Sequence, residues 1–94
     1  MGVLFETIRR LVRNERYIVG QHAIERLDER RILEWQLVAG IEHGKLIVER
    51  PHAAPNSAVE VHQRLADGTA VKAVWSHVRS VDVAKLVTVH FFDG

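Results

Sequence analysis

The feature that most constrains this chain is a change of hydrophobic period at Gly44. Before it apolar residues recur at helical spacing; after it they alternate or run together as they do in strands. In the first segment Leu4, Phe5, Ile8, Leu11 and Val12 share one helix face, while Glu6, Arg9, Arg10 and Arg13 fill the other. Glu6 stands four residues before Arg10, a favourable helix pair, and Asn14 is a suitable stop. RYIVG at 16–20 is short and β-branched and reads as a brief strand or extended entry. The spacing predicts a second helix over 21–30, with Ala23, Ile24 and Leu27 as its apolar stripe. A third is expected over about 34–43, with Leu33, Leu37, Val38 and Ile41 inward and Gly44 as its C-cap.

Beyond Gly44, KLIVER at 45–50 reads as a strand ended by Pro51, and PHAAPNS as a loop. Two further strands are joined by Asp67-Gly68, a strong signal for a two-residue hairpin. The last strand, VAKLVTVHFF at 83–92, is apolar on both faces and is expected inside the sheet. Helices first and strands afterwards predict an α+β domain, with N-terminal helices packed on one face of a twisted antiparallel sheet of about four strands. The 94 residues show no repeat or linker, so a single domain over 1–94 is expected. A chain of this length buries about 60–65% of its unfolded surface, enough for one modest core.

A two-residue turn at Asp67-Gly68 would set Leu65 opposite Ala70, Gln63 opposite Lys72, Val61 opposite Val74 and Val59 opposite Ser76. The outward face would then carry Glu60, His62, Arg64, Val71, Ala73, Trp75 and His77. An acid, two imidazoles, a guanidinium and an indole would share one side.

Composition removes several classes of function. Hydrophobic residues at 47% and charged residues at 27% exclude a disordered chain. The absence of cysteine excludes disulfide scaffolds, thiolate zinc sites and cysteine nucleophiles, and suits a reducing cytosol. No apolar run approaches the roughly 18 residues that span a bilayer. MGVLFETIRR lacks the order of a signal peptide, and Glu6 breaks the myristoylation pattern. The expectation is a soluble cytoplasmic protein with no membrane partner. A net charge of +1 means that a nucleic-acid partner must rest on local patches. Ten of the thirteen basic residues are arginine, the side chain suited to bidentate phosphate contacts. The six histidines form no close His-x-His or His-x-x-x-His pair, and no carboxylate completes a ligand set at recognisable spacing, so neither a metal nor another cofactor is expected. Ser57, Ser76 and Ser80 lack a nucleophile elbow, and there is no glycine-rich phosphate loop.

YIVGQHAIERLDERRI, a short helix ending in IEHGKLIVE, a hairpin and AKLVTVHFF together resemble one of the domain-of-unknown-function families. That family is grouped with RelE-like, BrnT-like and MqsR-like toxins of bacterial toxin–antitoxin systems. The elements that carry the resemblance are His22, Ala23, Arg26, Arg30, Ile32, Gly44 and Val87-Thr88-Val89, and it extends over about residues 4–92. Gln21 departs from it where a capping Ser or Thr is common. Arg31 and Leu33 replace the usual Gly and capping residue before the third helix, which weakens local helix starts. The resemblance implies a RelE/barnase-like toxin fold, that of small microbial ribonucleases with an active face on the sheet, and a cognate antitoxin. Fold alone does not fix function.

RNA cleavage by 2′-hydroxyl attack needs a base, an acid for the leaving oxygen and cations for the phosphate, and no metal. Histidine suits the first two roles. His22, Arg26 and Arg30 lie on one helical stripe, either as a phosphate clamp beside an imidazole or as a solvated face held by Glu25, Asp28 and Glu29. On the hairpin, His62, Arg64 and His77 accompany Trp75, which either stacks a base or packs in the interior. His90, taken to alternate with Thr88 and Leu86, is either a catalytic group or a core histidine. Lys85 and Lys72 either neutralise phosphate or snorkel at an edge.

The leading expectation is a metal-independent endoribonuclease of the mRNA-interferase type, acting on RNA, ribosome-bound mRNA included. His22, His62, His77 and His90 are the candidates for proton transfer, and Arg26, Arg30, Arg64, Trp75 and Lys85 for substrate binding. The alternative is a non-catalytic protein- or RNA-binding module that keeps the fold without the activity. Its strand edges and apolar first helix would allow a homodimer, and the near-zero net charge favours it.

Overall fold

The computed structural model describes residues 2–92. Helix α1 (Val3–Arg13) leads into a short strand β1 (Tyr17–Val19), then α2 (Gln21–Arg30) and α3 (Glu34–Gly40). A single 3-10 turn at Ile41–His43 precedes β2 (Lys45–Arg50), β3 (Ser57–Arg64), β4 (Ala70–Val78) and β5 (Val83–Phe91). The strands form one sheet in the order β1-β5-β4-β3-β2. The α+β class and the packing of helices on the sheet are as expected, but the sheet has five strands and is mixed. RYIVG supplies the fifth strand, which runs parallel to β5 with Tyr17 opposite Ala84 and Val19 opposite Leu86. Gly20 N–H continues the pairing to Leu86 O at 2.9 Å, and Ala84 N–H reaches Arg16 O at 3.0 Å. β5 is therefore internal, which explains why it is apolar on both faces.

The amphipathic stripe of α1 is buried through Phe5, Ile8, Leu11 and Val12. Opposite it lie Val59, Val61 and Gln63 of β3, Val71, Ala73 and Trp75 of β4, and Ala84, Leu86 and Val89 of β5. Ala23 and Leu27 close the core from α2, and Leu37 and Ile41 from α3 and its 3-10 turn. Two residues placed in apolar stripes face solvent instead: Ile24, and Leu33, which sits just ahead of α3 in extended conformation. Glu6 pairs with Arg9, not with Arg10 (Arg9 Nη1 to Glu6 Oε1, 2.9 Å), and Arg9 also donates to Glu42 O.

Both longer N-terminal helices end in the same way. Glu15 N–H bonds Val12 O and Arg16 N–H bonds Leu11 O; Arg31 N–H bonds Asp28 O and Ile32 N–H bonds Leu27 O. These are Schellman closures, and Glu15 and Arg31 take the left-handed position usually held by glycine. Gly44 is not such a residue. It is extended (φ −71°), and its missing side chain matters because a Cβ there would stand 2.5 Å from Val61 Cγ1.

The β3–β4 turn corrects the expected register. Leu65 N–H bonds Thr69 O and Gly68 N–H bonds Leu65 O, so Ala66, Asp67 and Gly68 form a three-residue loop with Gly68 at φ +90°. This is the type I turn followed by a left-handed residue, in which glycine occupies the last loop position. The longer loop moves every pair by one residue: Gln63 faces Val71, Val61 faces Ala73, and Val59 faces Trp75. The inward face of β3 is as expected, but that of β4 is the reverse.

Candidate functional site

The sheet face opposite α1 gathers the polar residues, and two bulges decide which. β2 carries Ile47 as an extra residue, so Lys45 stands opposite His62 and Arg50 opposite Ala58 on this face, while Glu49 turns to the helix side. There Glu49 Oε2 accepts from Phe5 N–H at 2.8 Å and closes the first turn of α1. β5 carries Val87 as an extra residue between Thr88, opposite Val74, and Leu86, opposite Trp75. The bulge brings Lys85, opposite Ser76, onto the same face as His90, opposite Lys72. The expected alternation of Leu86, Thr88 and His90 is thereby broken, and Leu86 is in the core.

One cross-strand row results: Lys45 faces His62, His62 faces Lys72, and Lys72 faces His90. Ammonium and imidazole groups alternate over four strands spaced about 4.8 Å apart. Glu60, one pair further along, holds Arg50 at 3.0 Å and Lys72 at 3.6 Å. His62 stacks on Phe92, with ring centroids 5.1 Å apart.

α2 runs beside β5 beyond the end of β1, with Ala23 and Leu27 inward. His90 is exposed on the sheet surface, where partial loss of water, and then the positive charges of Lys72, Arg26 and His22, hold its imidazole below the usual histidine range, with Glu60 opposing. His90 is thus favoured as the neutral base within a cationic surround. Arg26 Nε and the Thr88 and Ser76 hydroxyls are buried without a protein partner.

The sequence-derived candidates therefore divide. His22, Arg26, His62, Arg64, Lys85 and His90 belong to this face or its α2 border; Arg64 bonds Gly68 O across the turn. Arg30 separates from its stripe, lying over the Phe91 ring at 5.1 Å on the helix side. Trp75 is not on the surface: it is fully buried, and Nε1 donates to Gln63 Oε1 at 2.9 Å. His77, on the same side as Trp75, lies 2.9 Å from Asp82 Oδ1 and holds that carboxyl below the usual range. The one-residue change of register removed Trp75 and His77 and supplied Lys72 in their place. Glu60 lies on this face as expected, whereas Lys45, Arg50 and Phe92 were also missed. A three-residue reading of Ala66-Asp67-Gly68 was the signal that would have found Lys72; neither bulge has a comparable mark in the chain.

Among the described residues no three His, Cys, Asp or Glu side chains converge as a metal-ligand set would, and no helix is long and apolar enough to cross a membrane.

A small α+β domain with a cationic, histidine-bearing sheet face is the class that fold and site define. The chain belongs to the family described as a domain of unknown function (DUF4258), whose model matches residues 19–91. That span takes in the last residue of β1, both α2 and α3, and all of β2 to β5, and so every residue of the His62–Lys72–His90 row. No curated protein and no solved structure matched the chain.

Proposed function

We propose that the protein is a metal-independent endoribonuclease of toxin type, akin to the RelE-like, BrnT-like and MqsR-like toxins, acting on RNA in the cytoplasm and restrained by an antitoxin that covers the cationic face. The observation that supports this reading is the row His62–Lys72–His90, two imidazoles flanking one ammonium across adjacent strands. A phosphodiester seated on Lys72 has a histidine to either side, as in-line displacement requires. His90, kept neutral, takes the proton from the 2′-hydroxyl. The 2′-oxygen then bonds to phosphorus, the bond from phosphorus to the 5′-oxygen breaks, and His62, as the general acid, gives a proton to that oxygen. A 2′,3′-cyclic phosphate and a 5′-hydroxyl are the products. Lys72 and Arg26 offset the charge that builds on the phosphoryl oxygens.

The test is cleavage of an oligonucleotide holding a single ribonucleotide, by the purified full chain in the presence of a chelator. His90→Ala and Lys72→Met are expected to lower the rate by about 100-fold or more, and replacing the lone 2′-hydroxyl by hydrogen to abolish it. Cleavage indifferent to both substitutions, or dependent on a divalent ion, would overturn the reading.

A second reading draws on Glu60. Its carboxylate engages both Lys72 and Arg50, an arrangement that lessens the charge available to phosphate and suits a non-catalytic protein- or RNA-binding module. Such a module would be tolerated on expression in a bacterial host, whereas an active toxin would arrest growth unless its antitoxin were supplied.

A further inference from the structure

Along the same face, two pairs beyond Lys72 on β4, the sheet meets the 51–56 loop and leaves a slot of about 150 Å³. Its walls are apolar, with Pro55, Ala58, Val74 and Val87 among them, and Ser76 and Lys85 supply polar groups. Two features mark it as more than a gap between loop and sheet. The Ser76 hydroxyl is buried, at 3% exposure, yet has no partner, and Thr88, opposite Val74 on the way from His90, is in the same position. A buried hydroxyl without a partner carries a desolvation cost that a bound acceptor or donor relieves. Lys85 forms no ion pair among the described residues. Its stem crosses Gly20, where a Cβ would stand 2.8 Å from Lys85 Cε, so the absence of a side chain at the β1–α2 junction leaves the lysine its place.

We infer that this slot is a nucleobase subsite that prefers guanine. Apolar walls suit the faces of a base, and Lys85 is the one cationic side chain that lines the slot; its ammonium lies beside Gly20 and, turned to a base edge, favours adjacent acceptors. Guanine offers O6 and N7 there, whereas adenine and cytosine present an amino group that opposes Lys85 donor to donor. Asn56 at the rim can serve either kind of edge, so discrimination falls to Lys85. Ser76 lies four residues along β4 from Lys72, about 13 Å, so the slot takes the base of a neighbouring nucleotide and not the one whose 2′-hydroxyl reacts. The inference rests on the ribonuclease reading for its place in the reaction, but not for the binding itself.

The experiment is titration of the full chain with the 5′-monophosphates of guanosine and adenosine, and with guanosine alone. The guanine ligands are expected to bind about tenfold more tightly than the adenine one. Lys85→Met, which keeps the stem and removes the ammonium, should collapse that ratio toward one. Ser76→Ala should weaken guanosine binding while leaving the protein as stable or more so, which separates loss of a ligand contact from loss of fold. Equal affinity for the two monophosphates, no binding of either, or a ratio unchanged in Lys85→Met would each overturn the subsite. Guanine-selective binding without cleavage of any RNA would leave the subsite standing and remove the nuclease; cleavage without a guanine preference nearby would do the reverse.

Discussion

Trp75 and Gln63 are joined side chain to side chain in the middle of the core. Trp75 Nε1 donates to Gln63 Oε1 at 2.9 Å, and Gln63 Nε2 donates in turn to Leu37 O, also at 2.9 Å. The glutamine, only 2% exposed, thus ties β3 to β4 and to the last turn of α3. A buried amide is retained at low cost only when both its ends are satisfied. Gln63→Leu preserves volume but leaves the indole N–H unpaired and strips the Leu37 carbonyl of its side-chain donor, and is expected to destabilise the protein by about 1–3 kcal/mol. In chemical denaturation, adding Trp75→Phe to Gln63→Leu should recover part of that loss, because one orphan group is removed with the indole. If the double variant is the strict sum of the singles, the hydrogen bond carries no coupling.

Arg31 closes α2 from the left-handed region at φ 57° while its side chain is exposed. A side chain in that conformation costs about 1–2 kcal/mol, offset in part by the greater freedom glycine gains when unfolded. Arg31→Gly is accordingly expected to raise stability by about 0.5–1 kcal/mol, read as a higher midpoint in thermal or denaturant unfolding. A lower midpoint would mean that the guanidinium makes a compensating contact.

Glu49 reaches α1 from 44 residues away, where its carboxylate meets Phe5 N–H near the positive end of the helix. Neither Gly2 nor any other side chain beside the helix start caps it. Glu49→Ala should cost about 1 kcal/mol, and Glu49→Gln, which keeps an acceptor, should cost less. Equal losses for the two substitutions would assign the effect to packing and not to the cap.

His90 provides a pH signature that does not depend on activity. Desolvation and the cations Lys72, Arg26 and His22 lower its folded-state pKa, so the unfolded chain takes up this proton more readily than the native one. The stability linked to this group is present above the unfolded value of about 6.5, and it is lost as pH falls from there toward the folded value. Imidazole resonances followed by NMR should show His90 titrating below that ordinary value, and Lys72→Met should move it upward. A His90 titration unmoved by Lys72→Met would remove the electrostatic account of a neutral base on this face. In the ribonuclease reading, the same shift extends the acid limb of the pH–rate profile to lower pH.

Much of the architecture was legible because periodicity reports burial directly. Phe5, Ile8, Leu11 and Val12 could form only one apolar stripe, and a strand apolar on both faces, such as β5, had to be internal. His22 and Arg26 were legible as a pair because a helix sets residues four apart on one side. The errors came where a strand's face depends on one residue more or less. Asp67-Gly68 suits either a two-residue or a three-residue loop, and the choice between them sent Trp75 inward and Lys72 outward. Trp75 itself gave no warning, since an indole is at home either on a surface that stacks bases or in a core with a partner for its N–H.

The chain by itself determined the order of elements, the α+β class and the inward stripe of the first helix, because these follow from spacing within a single element. Only the tertiary structure decided which polar side chains share the open face. That outcome depends on two bulges, at Ile47 and Val87, and on one loop residue, and each of these is settled by pairing with another strand. A period-2 strand exchanges its faces at every inserted residue, so the row Lys45–His62–Lys72–His90 exists only once four strands have fixed their registers together.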